Sequence, residues 1–241
     1  IVATFTSVFP HATMWLAGEG DLLLVGSPEP LEPALDRING PWRDRVAADL
    51  RSAAVSNPFG IMSTFIGSDE AAARFAAGAQ VQTDDRMALE FSAPKALHTD
   101  AQRDSIARLR ALAESSVPPD AVVRALRDAG PDARADRALM LRRAGAFGQA
   151  FDAAREAISA VPGRADVLNV LLESAAALKR HADAADILRS AVGAHQDIAE
   201  LRVALSKLYA SNGDFDGAVS QAVEAVQRHP DDGAALEQLA S

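Results

Sequence analysis

The sequence predicts an α+β N-terminal part followed by an all-α solenoid of helical repeats. Eight of the twelve aromatic residues precede residue 97, whereas Ala, Leu and Arg recur at helical spacing after it. From residue 131 the pattern also repeats at a fixed interval, which indicates a repeat architecture. We therefore predict an α/β part over 1–97, a connecting helical hairpin over 98–130 and a repeat region over 131–241.

Composition limits the class of protein. With 49% hydrophobic and 24% charged residues, the chain is expected to be globular, and its longest apolar runs, such as Leu22–Val25, fall far short of the roughly 20 residues of a membrane span. There is no cysteine, which excludes disulfides, thiolate nucleophiles and sulfur-based zinc sites. The net charge of -9 argues against nucleic acid as a partner. Because the chain opens on Ile1 and no signal peptide precedes it, we interpret it as a processed or truncated product, cytoplasmic unless an upstream segment holds it at a membrane.

The first part begins with a predicted β-hairpin. Two apolar runs, 11–17 and 21–27, flank Gly18-Glu19-Gly20, and both are apolar at nearly every position, so we expect both faces of the hairpin to be covered. Amphipathic helices are predicted over 31–38 and 41–53, separated by the stop signal Asn39-Gly40.

Further short elements follow. Asn57-Pro58 is expected to start a helix that ends near Ile66, and Ser68 to cap another that runs to Phe75. A short strand is predicted over 88–91. Beyond it, Thr99 and Gln102 form a capping box for a helix to about Glu114, and a last helix before the repeats ends at Asp128.

The repeat has a period of 34 residues. Gly145 and Gly213 are turn glycines separated by 68 residues, which is two periods. The remaining matches in the first repeat are Leu141, Phe147, Ala150, Ala157 and Pro162, and those in the third are Leu205, Tyr209, Phe215, Ala218, Ala225 and Pro230. The middle repeat keeps Leu168, Leu171, Ala184, Leu188 and Ala191 but has Lys179 and Gln196 at the glycine and proline positions. This spacing resembles the tetratricopeptide repeat, with units over 131–164, 165–198 and 199–232 and a partial capping helix after them; the alternative is an Ala-rich helical bundle with chance spacing.

A repeat of this kind binds a peptide or protein in the groove lined by the first helix of each pair. The residues we expect to face outward on those helices are Arg142, Arg143, Asn169, Glu173, Glu200, Val203 and Lys207. Their mixed charge suits a short polar or charged segment, and a solvated face without a ligand is the alternative.

Signals for catalysis are few. The five histidines share no metal-binding spacing, so no metal site and no cofactor are expected in this chain, and Gly18-Glu19-Gly20 lacks the third glycine and the helix of a dinucleotide fingerprint. Asp84, Asp85 and Arg86 form the most informative polar cluster. Adjacent carboxylates beside an arginine order a loop or receive a cationic amine, and we keep both interpretations.

Three stretches resemble the C-terminal part of bacterial spermidine-synthase-like proteins. They are Val8–Leu16, Asp21–Ser27 and Gln82–Leu97, in that order, with departures at Gln82, where Asn is expected, and at Met87, where Pro is expected. Some members of that group carry membrane segments before the synthase-like domain and tetratricopeptide repeats after it. The resemblance covers about residues 1–98.

The resemblance implies the end of a Rossmann-like methyltransferase sheet that is incomplete here. The cosubstrate loop and the acidic residues that activate the amine lie mostly upstream in such enzymes, so no catalytic residue is carried over. We expect this chain to be a catalytically inert interaction module whose partner is a peptide or protein, or the missing N-terminal part of its own parent. The alternative is part of an aminopropyltransferase that acts on polyamines with decarboxylated S-adenosylmethionine, and a third is a structural piece without a ligand.

Overall fold

The chain forms two compact units. The computed structural model describes residues 1–18, 20–42, 44–53, 55–83, 85 and 101–240, without the side chains of 101–103 and 114. One unit comprises Ile1–Asp49 and Asn57–Ala129, and the other comprises Leu50–Ser56 and Gly130–Ser241. A short segment from the first half of the chain therefore belongs to the second unit.

Short helices and one small sheet make up the first unit. Its elements are α1 (Val2–Val8), β1 (His11–Ala17), β2 (Asp21–Ser27), α2 (Glu32–Ile38), α3 (Asp44–Ser52), α4 (Pro58–Met62), β3 (Phe65–Gly67), α5 (Asp69–Ala76), α6 (Ala101–Ser115) and α7 (Asp120–Arg127). The last residues of α3 belong to the second unit. The predicted boundary at residue 97, the predicted strand over 88–91 and the capping residue Thr99 lie outside the described residues.

The sheet has the strand order β2-β1-β3, and both pairings are antiparallel. Because β1 is central, it is buried along nearly its whole length, and Trp15 packs edge-to-face against Phe65 with ring centroids 5.2 Å apart. The expectation that both strands of the hairpin are covered on both faces is wrong for β2. This strand lies at the edge of the sheet, and it leaves Leu23 57% and Val25 40% exposed. Among the described strands none pairs in parallel, so a Rossmann-like sheet stays a prediction.

The helix predicted to reach Ile66 is shorter. It ends at Met62, and a turn leads into β3, where the β-favouring residues Phe65 and Ile66 extend the sheet instead. The Thr64 hydroxyl donates to the Ile61 carbonyl at 2.8 Å, and the Thr64 carbonyl accepts from the Leu16 amide at 2.8 Å. Pairing with the sheet therefore outweighs continuation of the helix.

The second unit is a regular stack of helical hairpins. Its helices are α8 (Pro131–Arg143), α9 (Phe147–Ala160), α10 (Ala165–Leu178), α11 (His181–Ala194), α12 (Ala199–Ser211), α13 (Phe215–Arg228) and α14 (Gly233–Ala240). The first helices begin at residues 131, 165, 199 and 233, and the second helices begin at 147, 181 and 215, so the period is 34 residues throughout. One apolar core runs through α8 to α12, and a smaller cluster joins α12 to α13 and α14, as expected when each unit buries its apolar face against its neighbour.

The turn between the two helices of each hairpin has a left-handed residue. Gly145 and Gly213 have φ values of +75° and +80°, and Lys179 at the equivalent position has φ of +57°. Glycine adopts this conformation without steric cost, whereas a residue with a Cβ is strained there. The equivalence of these three residues explains how the middle hairpin keeps the turn without a glycine.

Small buried residues recur at the same position of each second helix. Ala150 and Ala184 are fully buried, and Ala218 is 6% exposed. A larger side chain at these positions would force the helices apart.

Two arginines that are at least partly buried lie at repeat positions where another hairpin has leucine. Arg137 lies one period before Leu171, and burial lowers the pKa of its guanidinium, whose Nε has no hydrogen-bond partner among the described residues. Arg202 lies one period after Leu168 and is 5% exposed. Its Nη1 donates to Glu224 Oε2 at 2.7 Å, so an ion pair of a buried arginine and a partly exposed glutamate joins α12 to α13.

Candidate functional site

The outward sides of the first helices α8, α10 and α12 form the candidate site, which we call the first-helix face. Arg143, Asn169, Glu173 and Lys207 are exposed on it. Arg142 and Glu200 are half-buried there.

Val203 does not belong to this face. It is 5% exposed and lies in a small apolar cluster with Ala225 and Ala235, against which Val226 packs. Because α14 packs on α12, a position that would be open at the end of three hairpins is covered. The expectation that Val203 points outward is therefore wrong.

The candidate residues Arg142 and Glu173 contact each other. Nη1 of Arg142 lies 2.8 Å from Oε2 of Glu173, and the two side chains are 34% and 51% exposed. The pair bridges α8 and α10 across neighbouring hairpins. Partly exposed pairs of this type contribute only modestly to stability, so its larger effect is to fix where the two charges lie.

Arg143 binds a backbone group rather than a carboxylate. Its Nη1 donates to the carbonyl oxygen of Ser52 at 2.6 Å. Seven residues earlier in the same helix, Oδ2 of Asp136 accepts a hydrogen bond from the Ser56 hydroxyl. Residues seven apart lie on one side of a helix, so one stretch of chain is held along α8 at two points.

Arg164 is a site residue that sequence reasoning missed. Its guanidinium contacts Asp136 at 2.5 Å, Asp166 at 3.0 Å and Asp132 at 3.5 Å. Partial burial alone would lower the pKa of Arg164, but the hydrogen bonds to Asp166 and Asp136 outweigh it and raise the pKa. One cation thus links the N-terminal ends of α8 and α10.

A signal for this cluster is present in the sequence. Asp132, Asp166 and Glu200 are spaced by one period each, and each lies in the first turn of its helix. A carboxylate there is favoured by the helix dipole. Comparison of equivalent repeat positions, rather than of outward-facing positions alone, would have identified this acidic column.

The predicted polar cluster of the first unit is only partly described. Asp85 is exposed in a turn, whereas Asp84 and Arg86 lie outside the described residues. Whether they bind a substrate stays a prediction.

Open cavities are lined by described residues in both units. A cavity of about 500 Å³ in the first unit is lined by His11, Glu32, Asp69 and Asp120 among others, and Nδ1 of His11 lies 3.0 Å from Oδ2 of Asp69. A cavity of about 490 Å³ in the second unit lies between α9 and α11. Within the described residues no cluster of three or more His, Asp or Glu side chains is arranged to hold a metal ion.

Part of the second unit matches a known repeat family. Residues 199–241 match the family model described as tetratricopeptide repeat. The match covers α12, α13 and α14, in which the residues of the 34-residue pattern are most complete. Together with the constant 34-residue period of the helix starts, the match supports a helical-repeat fold for the second unit.

Comparison with whole proteins adds little. No curated protein matches the sequence. A solved structure titled "MamA MSR-1 C2" is 16% identical, covers 64% of this chain and 84% of its own length, and has a TM-score of 0.34. A TM-score of 0.34 is too low to establish a shared fold or function.

Among the helices of the described residues, none combines the length and the apolar character that a membrane crossing requires.

Proposed function

We propose that this chain is a protein-interaction scaffold that binds a peptide segment of a partner along the first-helix face. The tetratricopeptide match over 199–241 and the constant 34-residue period support a scaffold of this kind. The observation that carries the proposal is the juxtaposition of polar side chains on successive first helices, with Asn169 and Glu173 on α10 and Lys207 on α12.

The shape of the face favours an extended ligand. Toward the C-terminal ends of α10 and α12 the exposed residues include the small Ala176 and Ala177 on the first helix and Ser211 on the second. Small side chains let a peptide backbone approach the helices closely. The longer Asn169, Glu173 and Lys207 then supply hydrogen bonds and charge to polar groups of the peptide.

A random-peptide display library selected on the immobilised full chain tests this proposal. We expect enriched peptides to bind the wild-type chain at least about tenfold more tightly than the double variant Asn169→Ala, Lys207→Glu, which corresponds to about 1.4 kcal/mol. The affinities are measured by fluorescence polarisation with synthetic peptides.

The matched control is Arg155→Glu, a charge reversal on the second helix α9, where the side chain is half exposed. This variant should bind the peptides as the wild-type chain does. Equal affinities for the wild-type chain and the Asn169, Lys207 variant would contradict the proposal.

A second hypothesis concerns the first unit. We infer from the motifs at 8–16 and 21–27 that it corresponds to the end of a spermidine-synthase-like domain, and the hairpin formed by β1 and β2 is consistent with the order of those motifs. The parent would then transfer an aminopropyl group from decarboxylated S-adenosylmethionine to an amine, and the present chain would be inert. Calorimetric titration with methylthioadenosine, spermidine and putrescine tests this: nucleoside binding at micromolar strength would favour enzyme chemistry over a pure scaffold.

A further inference from the structure

Residues 50–56 are part of the second unit although they are distant from it in sequence. The segment contains the end of α3 and the turn after it, in which the Val55 amide donates to the Leu50 carbonyl at 2.9 Å. Val55 is 6% exposed. The described part of the segment therefore has a backbone hydrogen bond of its own and a buried apolar side chain.

Both of its polar contacts described above are to α8. The Ser52 carbonyl accepts from Arg143 at 2.6 Å, and the Ser56 hydroxyl donates to Asp136. The residues between these two anchors on the same side of α8 are Leu139 and Met140, which are partly buried. The anchors use a backbone carbonyl and a side-chain hydroxyl, which are groups that any polar peptide offers.

We propose that residues 50–56 are a built-in ligand of the first hairpin, which occupies the α8 end of the first-helix face and competes with any external peptide for it. This inference rests on the proposed function, because it assigns the regulation of the same face. An external peptide would bind freely along α10 and α12, but it would reach Arg143 and Asp136 only after this segment leaves.

The attached segment competes well because its effective concentration at α8 is high. A covalently attached segment acts at an effective concentration that is typically millimolar for a short connection. Two charge-assisted hydrogen bonds, one to Arg143 and one to Asp136, hold the segment to α8, and an external ligand gains these groups only by replacing those bonds. The segment therefore makes the α8 end selective for ligands that bind more tightly than a loose peptide.

Nuclear magnetic resonance of the full chain tests the inference with a synthetic peptide of residues 49–57 as the probe. In one variant, residues 52–56 are replaced by a Gly-Ser linker, which removes the built-in ligand. We expect the peptide to shift the amide resonances of Asp136–Arg143 in a saturable manner in the linker variant, and at least about tenfold more weakly in the wild-type chain, where the attached segment competes. Arg143→Glu in the linker variant should abolish these shifts.

A gentler variant covers the case in which the linker variant fails to fold. Ser56→Asp places a second carboxylate against Asp136 and should release the segment, whereas Ser56→Asn keeps a donor and should not. Amide hydrogen exchange at Val55 should accelerate several-fold in the aspartate variant and remain near the wild-type rate in the asparagine variant.

The outcomes separate this inference from the proposed function. If the linker variant is folded and the peptide leaves α8 unaffected, or if the wild-type chain binds the peptide equally well, the segment is not a ligand, whatever the library selection gives. If Val55 exchanges at the same rate in both Ser56 variants, the inference also fails. If the segment competes on α8 but no library peptide depends on Asn169 and Lys207, the built-in ligand is supported and the proposed external ligand is overturned.

Discussion

Lys179 offers a sharp test of the repeat assignment, because it lies where the neighbouring hairpins have glycine. Its φ of +57° is in the left-handed region, which costs a residue with a Cβ about 1–2 kcal/mol. Glycine avoids this strain but loses about 0.5–1 kcal/mol more through the conformational freedom of the unfolded chain. The difference predicts that Lys179→Gly stabilises the second unit by about 0.5–1 kcal/mol.

Lys179→Ala is the matched control, since it removes the long side chain but keeps the Cβ. For a chain of this size, about 1 kcal/mol corresponds to a change of about 2–4 °C in Tm, which circular dichroism at 222 nm resolves. Amide hydrogen exchange of α10 and α11 gives the local free energy of opening of the second unit.

The converse changes complete the test. Gly145→Ala and Gly213→Ala introduce a Cβ at φ of +75° and +80°, where no neighbouring atom lies within 4 Å, so the cost is backbone strain alone. Each should destabilise by about the amount that Lys179→Gly stabilises. The reasoning is refuted if Lys179→Gly is less stable than Lys179→Ala, or if both glycine changes leave the stability unaltered.

Three further substitutions are predicted to change stability. Arg137→Leu should raise the free energy of unfolding by about 1 kcal/mol in urea titrations, because it replaces a half-buried guanidinium with the leucine of the other hairpins. The control Arg134→Leu, at an exposed position, should not raise it. A loss of stability in Arg137→Leu would contradict the equivalence of this position with Leu171. Ala218→Leu should overpack the third hairpin and lower the free energy of unfolding by about 1–3 kcal/mol, and an unchanged melting curve would disprove the register. Glu224→Ala should lower the free energy of unfolding by about 1–3 kcal/mol, because it leaves Arg202 buried without its carboxylate. The double variant with Arg202→Met should recover much of that stability in the same assay. No recovery would indicate that the pair is needed for packing.

Local signals predicted the elements well where short-range physics decides them. The hairpin of β1 and β2 has the predicted bounds, because a glycine-bearing turn between two apolar runs leaves few alternatives. The 34-residue period is confirmed by the helix starts, since turn residues and small crossing residues recur at every unit. The helix predicted to Ile66 failed because β3 is stabilised by a partner strand that is distant in sequence, which a local pattern does not contain.

The candidate site was less predictable than the fold. Of the positions predicted to face outward, Asn169 and Lys207 are exposed, but Val203 is buried, because a pattern of three hairpins does not show how α14 covers α12. It also missed Arg164, whose role depends on three carboxylates from two different helices. Side-chain partners across hairpins are set by the geometry of the stack rather than by spacing within one helix.

The pairing of the arginines changes what the first-helix face recognises. Counted from the sequence, the face has mixed charge, and Arg142, Arg143 and Lys207 are its cations. In the structure Arg142 already bridges to Glu173, and Arg143 already binds the Ser52 carbonyl. A ligand that uses these arginines must replace an existing bond, so its binding gains only the difference between the two bonds. Affinity for an acidic peptide is therefore expected to depend more on Lys207 than on either arginine, and the charge reversal of Arg142 together with Lys207 should derive most of its effect from Lys207.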